Sequence, residues 1–115
     1  MDRFLAVCML LFAAACEPAW SVQGRVRGAG AGAVRGAGVA LRCPGQQDLA
    51  ATTDHQGEFA LGGRGPGPSL GCSLVVAAPA YAPVRVPLAE VCEDARAGPP
   101  GSCAVALLDA ELRRR

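Results

Sequence analysis

The chain has 115 residues, a formal charge of +1 and a hydrophobic fraction of 51% that rests largely on Ala rather than on large side chains. That length corresponds to one domain, and the near-neutral balance excludes an electrostatic nucleic-acid binder, which would carry a basic face. All 11 basic residues are Arg, which in so Ala-, Gly- and Pro-rich a chain reads as compositional bias rather than as dedicated phosphate recognition.

At the start, Asp2 and Arg3 precede the apolar run 4–12 and the small residues Ala13-Ala14-Ala15. A charged start, a short apolar core and small residues before a cut site are the parts of a secretory signal peptide. The run 4–15 is too short for a spanning helix, which needs about 20 residues. Phe12-Ala13-Ala14-Ala15-Cys16 resembles the lipobox of bacterial lipoproteins. That resemblance implies a thioether to diacylglycerol on Cys16, cleavage just before it and acylation of the new amine. The protein would then be lipid-anchored in the cell envelope, on a periplasmic or cell-surface face, with the membrane as a partner. An ordinary signal cut after Ala15 also fits, because Ala13-x-Ala15 satisfies the small-x-small rule, and retention as an uncut anchor is the third outcome.

With residues 1–15 removed, 100 remain. We divide them into a short tether at 16–20, a module at 21–110 and a basic, solvated tail at 111–115 that ends in Arg113-Arg114-Arg115. The mature part keeps one Trp, one Phe and one Tyr (Trp20, Phe59 and Tyr81), so its core is built from small side chains and would gain from cross-links.

The apolar period along the module is two, interrupted by turn residues at short intervals, which is the pattern of an all-β domain. Val22, Gly24 and Val26 alternate with Gln23, Arg25 and Arg27 in a first strand, and 28–36 is a Gly/Ala turn. Val39, Leu41 and Cys43 share one face of a second strand, which Pro44-Gly45 stops. Residues 49–53 and 58–61 are expected to form a hairpin about Asp54-His55-Gln56-Gly57, with Phe59 and Leu61 facing inward. Leu70, Cys72, Leu74 and Val76 share a face in a fifth strand, and Val84, Val86 and Leu88 in a sixth, whose Pro87 belongs on an edge. Cys103, Val105 and Leu107 mark the seventh. Seven short strands without a long helix predict a two-layer sandwich.

Setting aside Cys8 in the signal and Cys16 at its end, four cysteines remain, and an even set in a small exported domain reads as two disulfides. Four cysteines allow three pairings. Cys92 and Cys103 bracket the polar, Pro/Gly-rich stretch 93–102, expected to be a loop, and closing it would stabilise by about 3 kcal/mol. Cys43 and Cys72 are left, each in phase with the apolar face of its strand. No pair has the tight spacing of a zinc site.

Val22-Gln23-Gly24-Arg25-Val26, Gly36-Ala37-Gly38-Val39-Ala40-Leu41, Thr52-Thr53-Asp54-His55-Gln56-Gly57-Glu58-Phe59 and Leu74-Val75-Val76-Ala77-Ala78-Pro79-Ala80-Tyr81 follow in an order that resembles the carboxypeptidase regulatory-like domain. The resemblance implies a seven-stranded prealbumin-like (transthyretin-like, Greek-key) sandwich with a turn signature at Asp54, Gly57, Phe59 and Tyr81. Asp54 would accept backbone hydrogen bonds, Gly57 would take a positive φ, and Phe59 would enter the core. The family usually has Gly where this chain has Ala80. Such domains are generally noncatalytic envelope modules that contribute folding, adhesion or contacts with proteins and glycans.

No catalytic residue, resident metal or cofactor emerges from the sequence. A His-x-x-Glu metal motif is missing, so carboxypeptidase chemistry is not expected, and the serines have no His-Asp partnership. The competing class is a small enzyme or metal-dependent protein using His55 with the neighbouring Asp54 and Glu58. Asp48 with Glu90, Glu93 and Asp94 could bind calcium only if their loops converged. The expectation is a noncatalytic, lipid-anchored module.

Overall fold

The computed structural model describes residues 19–98 and 101–115. The signal, Cys16 and the first part of the tether lie outside the described residues. The described chain is all-β apart from one helical turn, with nine strands rather than seven: β1 (Ala19–Gly28), β2 (Gly32–Ala33), β3 (Gly38–Arg42), β4 (Leu49–Thr52), β5 (Glu58–Arg64), β6 (Ser73–Ala77), β7 (Val84–Pro87), α1 (Leu88–Val91), β8 (Cys92–Arg96) and β9 (Ser102–Leu112).

Two sheets face each other. In the first, β1 runs parallel to β9 on one side, with Ser21 opposite Val105 and Gly28 opposite Leu112. On its other side it runs antiparallel to β5 and, at its end, to β2. Beyond β9 lies β8. The second sheet has the order β4-β3-β6-β7, so Pro87 does lie in an edge strand, where a missing N–H costs no ladder bond.

The core lies between the layers. Val22 and Val26 from β1, Val39 and Leu41 from β3, Leu74 and Val76 from β6 and Phe59 from β5 are all buried, as their period of two requires. In β9 Cys103 is buried, but Val105 and Leu107 do not follow it onto the inner face. Ala104, Ala106, Leu108, Ala110 and Leu112 are buried, whereas Leu107 is 52% exposed and Val105 half-buried. Three alanines and two leucines thus make up the inner face of this interior strand.

Three other expectations are corrected. The segments 49–53 and 58–61 are not a hairpin: β4 pairs with β3 in one sheet and β5 with β1 in the other, so the turn between them crosses from layer to layer. Cys92–Arg96 is a strand, not a loop, pairing with β9 through two register shifts. Leu88 starts α1 instead of ending β7, although its side chain still enters the core and its amide donates to the Cys72 carbonyl at 2.9 Å.

The C-terminal residues are also not a free tail. β9 continues to Leu112, the Ala82 amide donates to the Arg113 carbonyl at 2.9 Å, and the Arg115 amide donates to the Ala80 carbonyl at 3.1 Å. The Arg114 guanidinium lies 5.4 Å from the centre of the Tyr81 ring. Strand pairing thus extends to the end of the chain, while the three Arg side chains remain exposed.

Disulfides join Cys43 to Cys72 and Cys92 to Cys103. The first extends the β3–β6 ladder: Arg42 pairs with Ser73, so Cys43 and Cys72 are the next opposed pair, with Cα atoms 4.3 Å apart. Two such bonds suggest an extracytoplasmic protein, since reducing compartments keep thiols free.

Candidate functional site

The Asp54 turn, where the sequence concentrates its polar signature, is a structural device. The Asp54 Oδ1 atom accepts from the amides of Gln56 and Glu58, each at 2.9 Å. These bonds, that of Glu58 foremost, hold the carboxyl below the usual range for an aspartate, with a smaller push the same way from His55. Gly57 has φ of +76°, and a Cβ there would collide with the Val26 carbonyl, whose own amide donates to the Gly57 carbonyl at 2.7 Å. The turn is thereby pressed against β1, and Phe59 enters the core two residues later. The Tyr81 ring packs against Gly28 at the same end of β1.

His55 is exposed, and the two acids beside it are already engaged: Asp54 with backbone amides, and Glu58 with the Arg25 guanidinium at 3.6 Å. Asp48 lies 3.0 Å from Arg42. Among the described residues no group of three or more His, Cys, Asp or Glu side chains is gathered as a metal would need.

The opposite end of β1 carries a feature that the sequence reading missed by assigning Trp20 to the tether. Trp20 lies inside β1, opposite Gly63 of β5, and its indole covers that glycine so closely that an added Cβ would lie 2.9 Å from Nε1. Beside it opens a cleft of about 170 Å³. Leu49 supplies exposed apolar surface, with buried Leu41 at the back of the cleft, and Gln46, Gln47 and Arg64 supply the polar groups.

The walls of the cleft are held from several sides. The Arg96 guanidinium donates to the carbonyls of Gly65 at 3.1 Å and Ala19 at 3.2 Å. The Ser102 hydroxyl donates to the Pro66 carbonyl at 3.1 Å, and the Cys103 amide to the Pro68 carbonyl at 2.9 Å. On the other side Cys43, which also lines the cleft, is fixed by its disulfide. Among the described residues, no side-chain hydrogen bond or ion pair uses the Gln46 or Gln47 amide or the Arg64 guanidinium. A preformed concave surface with a few convergent polar groups is the usual form of a small-ligand site.

Comparison with known proteins defines the fold. No protein-family model matches the sequence, and no curated protein matches it significantly. Among solved structures the chain is similar to chlorocatechol 1,2-dioxygenase from Pseudomonas putida, with a TM-score of 0.61 and 12% identity over 85% of this chain and 61% of that one. It is also similar to hydroxyquinol 1,2-dioxygenase from Pseudomonas putida DLL-E4, with a TM-score of 0.58 and 13% identity over 86% of this chain and 57% of that one. For catechol 1,2-dioxygenase from Acinetobacter sp. ADP1 the TM-score is 0.56 and the identity 11%, over 86% and 53%. The chain spans between 53% and 61% of the length of these enzymes. At such identity the likeness is one of β-sandwich architecture.

Proposed function

We propose that the protein is an exported cell-envelope lipoprotein, anchored through Cys16, whose sandwich is a noncatalytic module that contacts an envelope protein or glycan. The observation that carries this reading is the pair of disulfides in a small two-layer sandwich, in a chain whose first residues read as an export signal ending in a lipidation cysteine. The noncatalytic part is supported by the Asp54 turn, where the carboxylates nearest His55 are occupied in holding the turn and in an ion pair.

We further read the sandwich as a carboxypeptidase regulatory-like module. Three features support this: the Asp54-to-Gly57 turn leading directly to buried Phe59, the two-layer strand order, and Ala80, whose φ of +69° is the conformation that the family's glycine at this place would adopt freely.

Metabolic labelling with an alkyne fatty acid tests the anchor. Wild-type protein should take up label and fractionate with membranes, while Cys16→Ser should do neither. Crosslinking in intact cells should then capture an envelope component with the labelled protein. An unlabelled wild type would overturn the anchor, and the absence of any crosslinked envelope component would overturn the interaction role.

A further inference from the structure

We infer that the cleft beside Trp20 binds a six-membered sugar ring that carries a carboxylate, such as one hexuronate unit of an acidic glycan. The inference deepens the reading above by naming a site and a ligand class, and it depends on that reading only in taking recognition rather than catalysis as the task.

Size comes first. An open cleft of about 170 Å³ is a little larger than an enclosed cavity that accepts benzene, so it can hold the face of one sugar ring while the ring's substituents reach the polar rim. The chemistry of the lining then selects among rings. Trp20 and Leu49 offer apolar surface for the C–H groups of a ring, and the indole is held in place by β5 beneath it, so little side-chain freedom is lost on binding. Gln46 and Gln47, consecutive in sequence, both line the cleft, and each amide can donate and accept, which suits hydroxyls that also do both. An aromatic acid of the same size would leave those amides unmatched.

Charge makes the last selection. Arg64 is the charged side chain that lines the cleft, with no acid among the lining residues to neutralise it. By contrast Arg25, Arg27 and Arg42 each lie within 4 Å of a carboxylate. A guanidinium at the rim of a partly apolar site recognises a carboxylate through a two-pronged, charge-assisted contact, which a neutral sugar lacks.

Trp20 is the only tryptophan in the chain, so its fluorescence reports on this cleft alone. Purified, disulfide-intact protein should be titrated with trigalacturonate, maltotriose and benzoate, with calorimetry in parallel so that an optically silent event is still seen. We expect saturable binding of trigalacturonate, about tenfold weaker binding of maltotriose, and a similar loss for trigalacturonate with Arg64→Gln. Arg85→Gln, on the edge strand β7 of the other sheet, should leave binding unchanged. No heat or fluorescence change with trigalacturonate, equal affinity for Arg64→Gln, or benzoate binding as tightly as the uronate would each overturn the inference. A negative titration with acylated Cys16 would remove the ligand assignment and leave the anchor standing. A positive titration without acylation would do the reverse.

Discussion

The buried hydroxyl of Thr53 donates to the Val34 carbonyl at 2.6 Å and accepts from the Ala37 amide at 2.9 Å. One side chain thus satisfies two backbone groups in the segment that connects the sheets, between β2 and β3. Thr53→Val keeps the shape but leaves both unpaired, so we predict a loss of about 1–3 kcal/mol in chemical denaturation, with Thr53→Ser closer to wild type.

Two turn positions should respond in opposite directions. Gly57→Ala adds a side chain at positive φ against the Val26 carbonyl and should cost about 2 kcal/mol or more. Ala80 already sits at φ of +69° on the surface, so Ala80→Gly should raise stability by up to about 1 kcal/mol, less the entropy that glycine adds to the unfolded chain. Thermal melts of the two variants beside wild type check both.

Acid should loosen the Asp54 turn. Its carboxyl has a lower pKa folded than unfolded, chiefly because the Glu58 amide bonds the charged form, so the unfolded chain takes up the proton first as pH falls. The contribution is complete above the ordinary aspartate value of 3.8 and disappears as pH drops through the lower folded value. Asp54→Asn, which keeps the accepting oxygen, should flatten this part of the stability–pH curve; an unchanged acid slope would contradict the assignment.

The two disulfides should differ in weight. Cys43–Cys72 closes a separation of 29 residues and Cys92–Cys103 one of 11. On the chain-entropy argument their removal costs about 4 and about 3 kcal/mol respectively. Double alanine variants of each pair, compared by denaturation, should rank in that order, and peptide mapping without reduction should recover these two linkages.

Strands with bulky residues in alternation were legible from sequence: β1, β3 and β6 keep the phase that Val22, Leu41 and Leu74 announce, and the same phase brings Cys43 opposite Cys72. β9 was misread because alanines fill its inner face while Leu107, the bulkier residue, points to solvent. β8 was invisible because Glu93, Asp94 and Ala95 form an exposed edge strand, and composition alone reads such a stretch as loop. The Asp54 turn was evident as a turn, but whether it returns to the same sheet or crosses to the other depends on partners distant in sequence. The Trp20 cleft, for the same reason, had no local signal: its lining comes from β1, β3, β4, β5 and the loops beyond them.

The central claim is that Cys16 is acylated and tethers this disulfide-stapled sandwich to a membrane. Intact mass spectrometry of protein extracted from membranes without reduction tests it most directly. The account predicts a chain that begins at Cys16, heavier than residues 16–115 by its acyl groups and lighter by the four hydrogens lost in two disulfides. A chain that retains residues 1–15, or one that begins at Cys16 with no added lipid mass, would contradict it.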